Sequence, residues 1–461
     1  MATKRTNFSG KFGFIAAAAG SAVGLGNIWK FPFEAGKSGG SAFLIMYLLF
    51  CFALCFPIMT TEIAIGRRSQ KSAALAFRPL GYPRWSFVGA LGVLCGVLIL
   101  SFYNVVAGWV MGYFVELLLG NFSIGRDFSA YTSDIPLVGG YMLAFMFATA
   151  FIVAQGISKG IEKASKILMP LLLAIIICLA VYSLTLPGAI DGLIFYLVPD
   201  FSKINLSVVY RALGQAFFSL SLGLGAMMTY GSYLSKKEDI ISSSALITLA
   251  DVGIAFLAGL MIFPMVFSQG LSTDGGAGLI FITMPGVFEN MGPVLGVVVG
   301  SLFFLLLTFA ALTSTISLLE LPVSYMVDKF QIQRRFAVWY AAGLVLLIGI
   351  PSMIANGYSE RFTRFITYVG QKEPVDFMTF LADVASNTLL PLGGFFVSIF
   401  AVYVWTRKRL FGELSHGNPG FGRTWLAKYI GFTLQFIAPT ILGLIFVITV
   451  LETFFGIRLL G

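Results

Sequence analysis

The chain has 461 residues, of which 58% are hydrophobic and only 11% charged, and its mean hydropathy is +0.90. Soluble domains carry about a quarter of charged residues, so these values exclude a soluble domain and predict a protein with many membrane spans. The net charge of +9 could indicate a nucleic-acid partner. However, most of the 30 Lys and Arg residues lie at alternate ends of the apolar segments, as the positive-inside rule describes. We therefore predict membrane lipid, and no nucleic acid, as a partner.

Apolar segments long enough to cross a bilayer are the main feature of the chain. There are about eleven, at residues 12–36, 41–66, 87–119, 138–156, 165–187, 206–233, 240–270, 293–327, 336–355, 376–405 and 427–455. The basic loops place the N-terminus in the cytoplasm, and an odd number of spans then places the C-terminus outside. This predicts an all-α, multi-pass protein of the cell inner (plasma) membrane.

The first span is interrupted between Gly20 and Phe33, where the sequence reads GSAVGLGNIWKFPF. A helix in lipid is broken only where protein or a water-lined cavity satisfies the freed backbone groups. The interruption therefore predicts a binding site in mid-membrane.

The sixth span contains a second interruption, FFSLSLGLGA, at residues 217–226. The two interruptions are offset by five spans, so each opens a set of five, and the two sets enter the membrane from opposite sides. Paired broken helices in inverted repeats mark a transporter's midplane site; the alternative is small-residue packing between helices.

The predicted parts are a cytoplasmic N-terminal segment (1–10), a first repeat (11–187), an external loop (188–205), a second repeat with an external lid at about 271–292 (206–408), and a basic cytoplasmic linker with a peripheral helix 11 (409–461).

Several polar side chains lie inside the apolar spans. Glu62 is predicted to cap free amides of the broken first helix, although it could be an interfacial carboxylate beside Arg67 and Arg68. Asp251 must face a cation, a water path or a basic partner, because an unpaired charge at that depth is costly. Thr313 and Ser314 either bond back to their own helix or offer oxygens to sodium.

Long motifs in the right order resemble the neurotransmitter:sodium symporter family, in its bacterial amino-acid branch. They are GSAVGLGNIWKFPF (20–33), SFYNVVAGW (101–109), QAFFSLSLGLGAMMTYGSY (215–233), FAALTS (309–314) and SNTLLPLGG (386–394). The resemblance implies sodium-coupled import of an amino acid by alternating access, with helices 1 and 6 unwound at mid-membrane. It also implies two sodium sites and no organic cofactor, and it makes no prediction of an oligomeric state.

The resemblance implies three sets of site residues. One sodium is expected at the Gly20, Val23 and Ala310 carbonyls and the Thr313 and Ser314 hydroxyls. The other is expected at the Ala22 carbonyl, Asn27, Ser219, Asp251 and the substrate carboxylate. The substrate pocket is expected to comprise Ala22, Leu25, Gly26, Ile99, Tyr103, Phe218, Ser219, Ser221, Leu224, Ser314 and Leu318.

Three positions refine the expected substrate and ions. Gly24 replaces the aspartate of the amine-transporting branch, which favours a substrate with its own carboxylate, and the apolar pocket favours a neutral, hydrophobic amino acid. Asp251 replaces the usual asparagine, and Ala255 the serine of chloride-dependent members. Asp251 is therefore expected to supply the fixed negative charge that chloride provides elsewhere.

Two gates are also implied. Lys30 with Asp383, and Phe218 stacked near Tyr103, are expected to close the outside. Arg5 with Asp328, near Tyr233, is expected to close the inside.

The sequence is also compatible with two other functions. A proton-coupled transporter or exchanger of the same architecture would use Asp251 as the proton carrier, and a membrane sensor would bind an amino acid without moving it. An enzyme is not expected, because no nucleophile with a base, metal cluster or phosphate loop is evident.

Overall fold

Nine continuous helices form most of the molecule in a computed structural model that describes residues 7–271, 278–457 and 459. In this part of the chain, all nine are long and apolar enough to cross a membrane. They are α2 (Ser41–Ser69), α3 (Pro83–Leu118), α4 (Ile135–Ala154), α5 (Ile157–Ser183), α7 (Ile240–Ser268), α8 (Pro293–Phe330), α9 (Arg334–Ile354), α10 (Phe377–Val404) and α11 (Trp425–Phe454).

Two further segments are interrupted helices. The first consists of α1a (Lys11–Ala22) and α1b (Gly26–Lys37), which meet at an angle of 49°. The second consists of α6a (Leu206–Ser219) and α6b (Ala226–Gly231). Together with the nine continuous helices they make eleven segments at the predicted places, so the all-α, multi-pass fold is confirmed.

The connections hold only short elements. In the described residues the β-type pairing is limited to one bridge between Ile366 and Val375. The α-helices of the connections in the described residues are Phe128–Ser133, Ala189–Leu197, Met284–Asn290, Glu360–Thr363 and Arg407–Leu414.

The break in helix 1 begins where Val23 leaves the helical conformation, with φ −71° and ψ 114°. The Gly24 N–H then donates to Asn27 Oδ1 at 3.0 Å, and the Leu25 N–H donates to the Tyr103 hydroxyl at 3.0 Å. Side chains thus replace the helical acceptors that these two amides have lost, as a buried backbone requires.

The break in helix 6 requires a left-handed backbone. Ser221, Gly223 and Gly225 all have positive φ, at 52°, 84° and 78°. A side chain at Gly223 would overlap the Leu390 carbonyl of α10, so only glycine fits there. This left-handed stretch ends the path of α6a, so α6b begins as a new helix after Gly225.

Glu62 caps this second break, which corrects the prediction that it caps the first. The Gly223 N–H donates to Glu62 Oε1 at 2.8 Å, and the Glu62 side chain is fully buried. Burial also argues against a solvated interfacial carboxylate. The reason lies in packing, because α2 runs directly alongside α6b.

Contact between α2 and α6b is backbone to backbone. A Cβ on Gly66 would overlap the carbonyl group of Met228 in α6b. Glycine at this position lets the two helices approach closely, as small residues do in membrane bundles, and thereby brings the Glu62 carboxylate to the break.

Part of the predicted lid, 271–292, lies outside the described residues, namely 272–277. Its described remainder contains Phe281, which is buried against Trp29 and Trp109 with ring centroids 5.7 and 6.0 Å apart. The Tyr113 hydroxyl of α3 donates to the Phe281 carbonyl at 2.9 Å. These contacts pack the described part of the loop against α1b and α3. The role of the loop as a lid and the boundaries of the two repeats stay predictions.

Gly66→Ala is expected to destabilise the protein, because its methyl group cannot coexist with the Met228 carbonyl. Overpacking of this kind costs about 1 to 3 kcal/mol. Thermal unfolding in detergent measures the effect, and Gly253→Ala is the matched control, because a Cβ there meets no atom within 4 Å. Equal melting temperatures for the two variants would contradict the proposed close contact.

Glu62→Ala is expected to lower the melting temperature, because it leaves the buried Gly223 N–H without an acceptor. Such a loss costs about 1 to 3 kcal/mol. Glu62→Gln keeps an acceptor oxygen in the same place and is expected to retain most of the stability. If glutamine proved as damaging as alanine, the negative charge rather than the cap would be the function of Glu62.

Candidate substrate and ion sites

A small cavity of about 30 Å³ lies between the two helix breaks. It is lined by Ser21, Ala22, Gly24, Gly26, Ile99, Tyr103, Phe218, Ser219, Ser221, Leu224, Ser314, Leu318 and Leu390. All of the predicted pocket residues are present except Leu25, which contributes its N–H to Tyr103 instead. In this conformation the cavity has room for about one water molecule.

Leu390 of α10 is a wall residue that the sequence reasoning missed, although it lies within one of the motifs that carried the resemblance. From the sequence, Gly24 is informative only because it lacks the aspartate carboxylate of the amine-transporting branch. A side chain at Gly24 would overlap the Ser314 hydroxyl and lie 3.0 Å from the Tyr103 hydroxyl. Glycine therefore lets both hydroxyls approach the backbone at the break.

Asp251 lies at the centre of a buried polar cluster beside the cavity. Its Oδ1 accepts from Asn27 Nδ2 at 2.7 Å, and both of its oxygens lie 2.9 Å from the Ser219 hydroxyl. The structure thus brings Asn27, Ser219 and Asp251 together, and Ala22 lines the adjoining cavity. Asn27 turns its amide nitrogen toward Asp251, because its oxygen accepts from Gly24.

Tyr47 and Gln215 also belong to this region and were missed. The Tyr47 hydroxyl donates to Asp251 Oδ2 at 3.0 Å. Gln215 Nε2 donates to the Gly26 carbonyl at 2.6 Å. Both are polar groups at membrane depth, a tyrosine in the second span and a glutamine in the sixth. Polar groups at this depth are often functional, and this feature of the sequence could have identified both residues.

A second group of oxygens lies between α1a and α8. Thr313 Oγ1 is 3.0 Å from the Ala310 carbonyl and 3.3 Å from the Val23 carbonyl. Ser314 Oγ is also 3.3 Å from the Val23 carbonyl, and Gly20 packs against Thr313. The predicted residues therefore meet. Thr313 also bonds back to the Phe309 carbonyl of its own helix at 3.2 Å, and its role as a sodium ligand stays a prediction.

On the side predicted to be external, a vestibule of about 480 Å³ reaches Lys30. Lys30 Nζ lies over the Phe218 ring, 4.4 Å from its centroid. The Asp383 carboxylate accepts from the Tyr368 hydroxyl at 3.0 Å and from Asn387 Nδ2 at 2.9 Å. The predicted Lys30–Asp383 pair is therefore not formed, because each group is held by other partners. Phe218 forms the wall between vestibule and cavity.

On the side predicted to be cytoplasmic lies a cluster around Glu320, a fully buried residue of α8. Glu320 forms an ion pair with Arg334 and accepts from the Tyr233 hydroxyl at 2.7 Å. Arg334 Nε donates to the Val153 carbonyl of α4 at 2.9 Å. The predicted gate residue Tyr233 is thus bonded to Glu320, a mid-span carboxylate that the sequence reasoning overlooked.

The predicted partner Arg5 lies outside the described residues, so the Arg5–Asp328 pair stays a prediction. Asp328 Oδ2 accepts from the Ser72 N–H at 2.6 Å, which ties α8 to the loop between α2 and α3. Phe8 donates its N–H to the Tyr233 carbonyl at 3.2 Å, and this bond brings the N-terminal segment to the same region.

Comparisons with known proteins identify the family. The model of the sodium:neurotransmitter symporter family matches residues 5–134 and 126–454. YhdH of Bacillus subtilis, an uncharacterized sodium-dependent transporter, is 37% identical over 458 residues, covering 96% of this chain and 97% of its own. The crystal structure of MhsT in complex with L-phenylalanine is 40% identical, with a TM-score of 0.87, over 96% of this chain and 99% of its own.

A more distant relative is the human sodium- and chloride-dependent taurine transporter, 26% identical over 426 residues, or 79% of this chain and 68% of its own. These proteins are transporters, so the expectation that the chain is not an enzyme is confirmed. The chain belongs to the sodium:neurotransmitter symporter family and is a sodium-dependent symporter that crosses the membrane many times.

Proposed function

We propose that this symporter imports neutral, hydrophobic L-amino acids across the plasma membrane by alternating access. The observation that carries the proposal is the cavity between the two helix breaks, which combines a polar end with apolar walls. The N-terminus would be cytoplasmic and the C-terminus external, in agreement with the distribution of basic residues.

The polar end of the cavity suits a carboxylate. The Tyr103 hydroxyl and the Leu25 N–H meet there, and α1b begins at Gly26. The positive end of a helix dipole and its free amides favour an anion. A carboxylate at this point would also lie beside the Asp251 cluster, where it needs a cation between the two negative groups.

The other walls suit an apolar side chain. Ile99, Leu224, Leu318 and Leu390 line the cavity, and its lining contains no charged side chain. The complex of MhsT with L-phenylalanine supports a substrate of this class. Since the cavity holds about 30 Å³, the proposal requires Phe218 to move when a substrate enters.

The two oxygen clusters are proposed as two sodium sites. Hard cations prefer oxygen ligands, and the helix breaks free the carbonyls that supply some of them. Gly20, Val23, Ala310, Thr313 and Ser314 would hold one ion. Ala22, Asn27, Ser219 and Asp251 would hold the other, with the Asn27 amide turned to present its oxygen. Substrate and sodium would then stabilise each other.

Asp251 is proposed to make transport independent of chloride. Its carboxylate places a fixed negative charge beside one proposed sodium site, and Ala255, one turn later, is buried and offers no hydroxyl. Alternatively, Asp251 carries a proton. Its full burial among hydroxyl groups favours this second role. Transport at saturating sodium over a range of pH distinguishes these roles.

Hydrophobic amino acids are expected to raise the melting temperature of the purified protein only when sodium is present. A ligand that binds the folded state stabilises it by an amount that grows with the logarithm of its concentration relative to its dissociation constant. Tyr103→Phe removes one hydrogen bond to the substrate and is expected to weaken binding about tenfold. Stabilisation of equal size in potassium would contradict sodium-coupled binding.

Uptake into liposomes is expected to stay unchanged when gluconate replaces chloride, because Asp251 supplies the required charge. Asp251→Asn removes that charge and is expected to reduce uptake or make it depend on chloride. Thr248→Val, a buried change on the same helix, serves as a control for general damage to α7. Loss of uptake by the unmodified protein in gluconate would disprove the assignment.

A further inference from the structure

A cleft with three lysines lies where α4 turns into α5. Its volume is about 510 Å³, and its lining is Ser9, Gln155, Ser158, Lys159, Glu162, Lys163, Lys166 and Ile167. The lysines are spaced four and three residues apart. Residues at these spacings share one face of a helix, so the three ammonium groups border the same opening.

Only one of these lysines is neutralised. Lys166 Nζ lies 2.5 Å from Glu162 Oε1, whereas Lys159 and Lys163 are exposed and form no ion pair with any residue in the described ranges. Glu162 is 2% exposed and rests against Gly13 of α1a. The cleft therefore carries two unbalanced positive charges and is suited to an anion.

An apolar stripe continues from the same face of α5 toward the bilayer. Ile167 and Leu171 follow Lys163 at successive intervals of four residues and are 57% and 43% exposed. A soluble anion would use only the lysines, whereas a phospholipid would use both features. Lysine stems also lie readily along such apolar surface while the ammonium groups stay at the interface.

We infer that this cleft binds the phosphate of an anionic phospholipid from the cytoplasmic leaflet, with an acyl chain along Ile167 and Leu171. The inference relies on the proposed orientation of the termini. Basic clusters next to membrane helices attract anionic lipids in this way.

The N-terminal segment is attached in the same cleft. The Ser9 N–H donates to Glu162 Oε2 at 2.9 Å, and the Ser9 hydroxyl bonds to the other oxygen. Lys166 Nζ lies 3.2 Å from the Ser9 hydroxyl. A lipid phosphate at Lys159 and Lys163 therefore lies beside the contact that joins the segment before α1a to α5.

Native mass spectrometry of the full chain in detergent tests the inference, with dioleoyl phosphatidylglycerol and dioleoyl phosphatidylcholine as probes. The unmodified protein is expected to bind phosphatidylglycerol, which carries a net negative charge, more tightly than phosphatidylcholine. Each lysine is expected to contribute about fivefold, so Lys159→Gln with Lys163→Gln weakens binding about 25-fold. Lys236→Gln with Lys237→Gln removes the same charge from an exposed loop and is expected to change nothing.

Two further arms separate the possible ligands. Ile167→Asn is expected to weaken binding of phosphatidylglycerol and to leave any binding of inorganic phosphate unchanged. The inference is overturned if both lysine pairs weaken lipid binding equally, if the two lipids bind alike, or if inorganic phosphate binds with the same lysine dependence while Ile167→Asn has no effect on the lipid. Melting temperatures without lipid confirm that each variant is folded. Sodium-linked amino-acid binding is measured separately, so a failure here leaves the transport proposal unaffected.

Discussion

The satisfaction of backbone hydrogen bonds at two helix breaks in mid-membrane is the constraint on which the rest of this structure depends. The hydrocarbon core of the bilayer offers no acceptor to a free N–H, so each broken turn there needs a protein partner or a water-lined cavity. Asn27 and the Tyr103 hydroxyl serve the amides of the first break, and Glu62 serves the second. These partners come from α2, α3 and the broken helix itself, which fixes how closely those helices pack.

The same requirement explains why the candidate sites are located at the breaks. The interruption that removes helical bonds also frees carbonyls, such as that of Val23, for the hydroxyls of α8. Asp251 is bonded to Asn27, Tyr47 and Ser219, so its carboxylate joins four helices: α1b, α2, α6a and α7. A cation at this carboxylate would influence all four at once, which is a physical basis for coupling an ion to a conformational change.

The two sides of the central cavity are closed very differently. Toward the vestibule, the half-buried Phe218 ring with Lys30 above it forms the barrier. Toward the other side, the buried Glu320 is bonded to Arg334 and Tyr233, so α4, α8, α9 and the residues that follow α6b meet there. Breaking that cluster would leave a buried charge without its partner, which is costly. Opening the cavity on the side of Glu320 would therefore break more buried contacts than opening it on the side of the vestibule.

The sequence by itself determined the eleven helical segments, their approximate ends, the two breaks and nearly all the residues that line the cavity. It could do so because hydropathy and helix-breaking residues are local properties, and because the family motifs are long. Only the tertiary structure decided which groups pair. Glu62 reaches the second break because α2 packs against α6b at Gly66, and Lys30 lies on Phe218 while Asp383 bonds to Tyr368. Contacts between distant segments depend on helix packing rather than on local sequence. For this reason only the structure could show that the sites also include Tyr47, Gln215, Leu390 and Glu320.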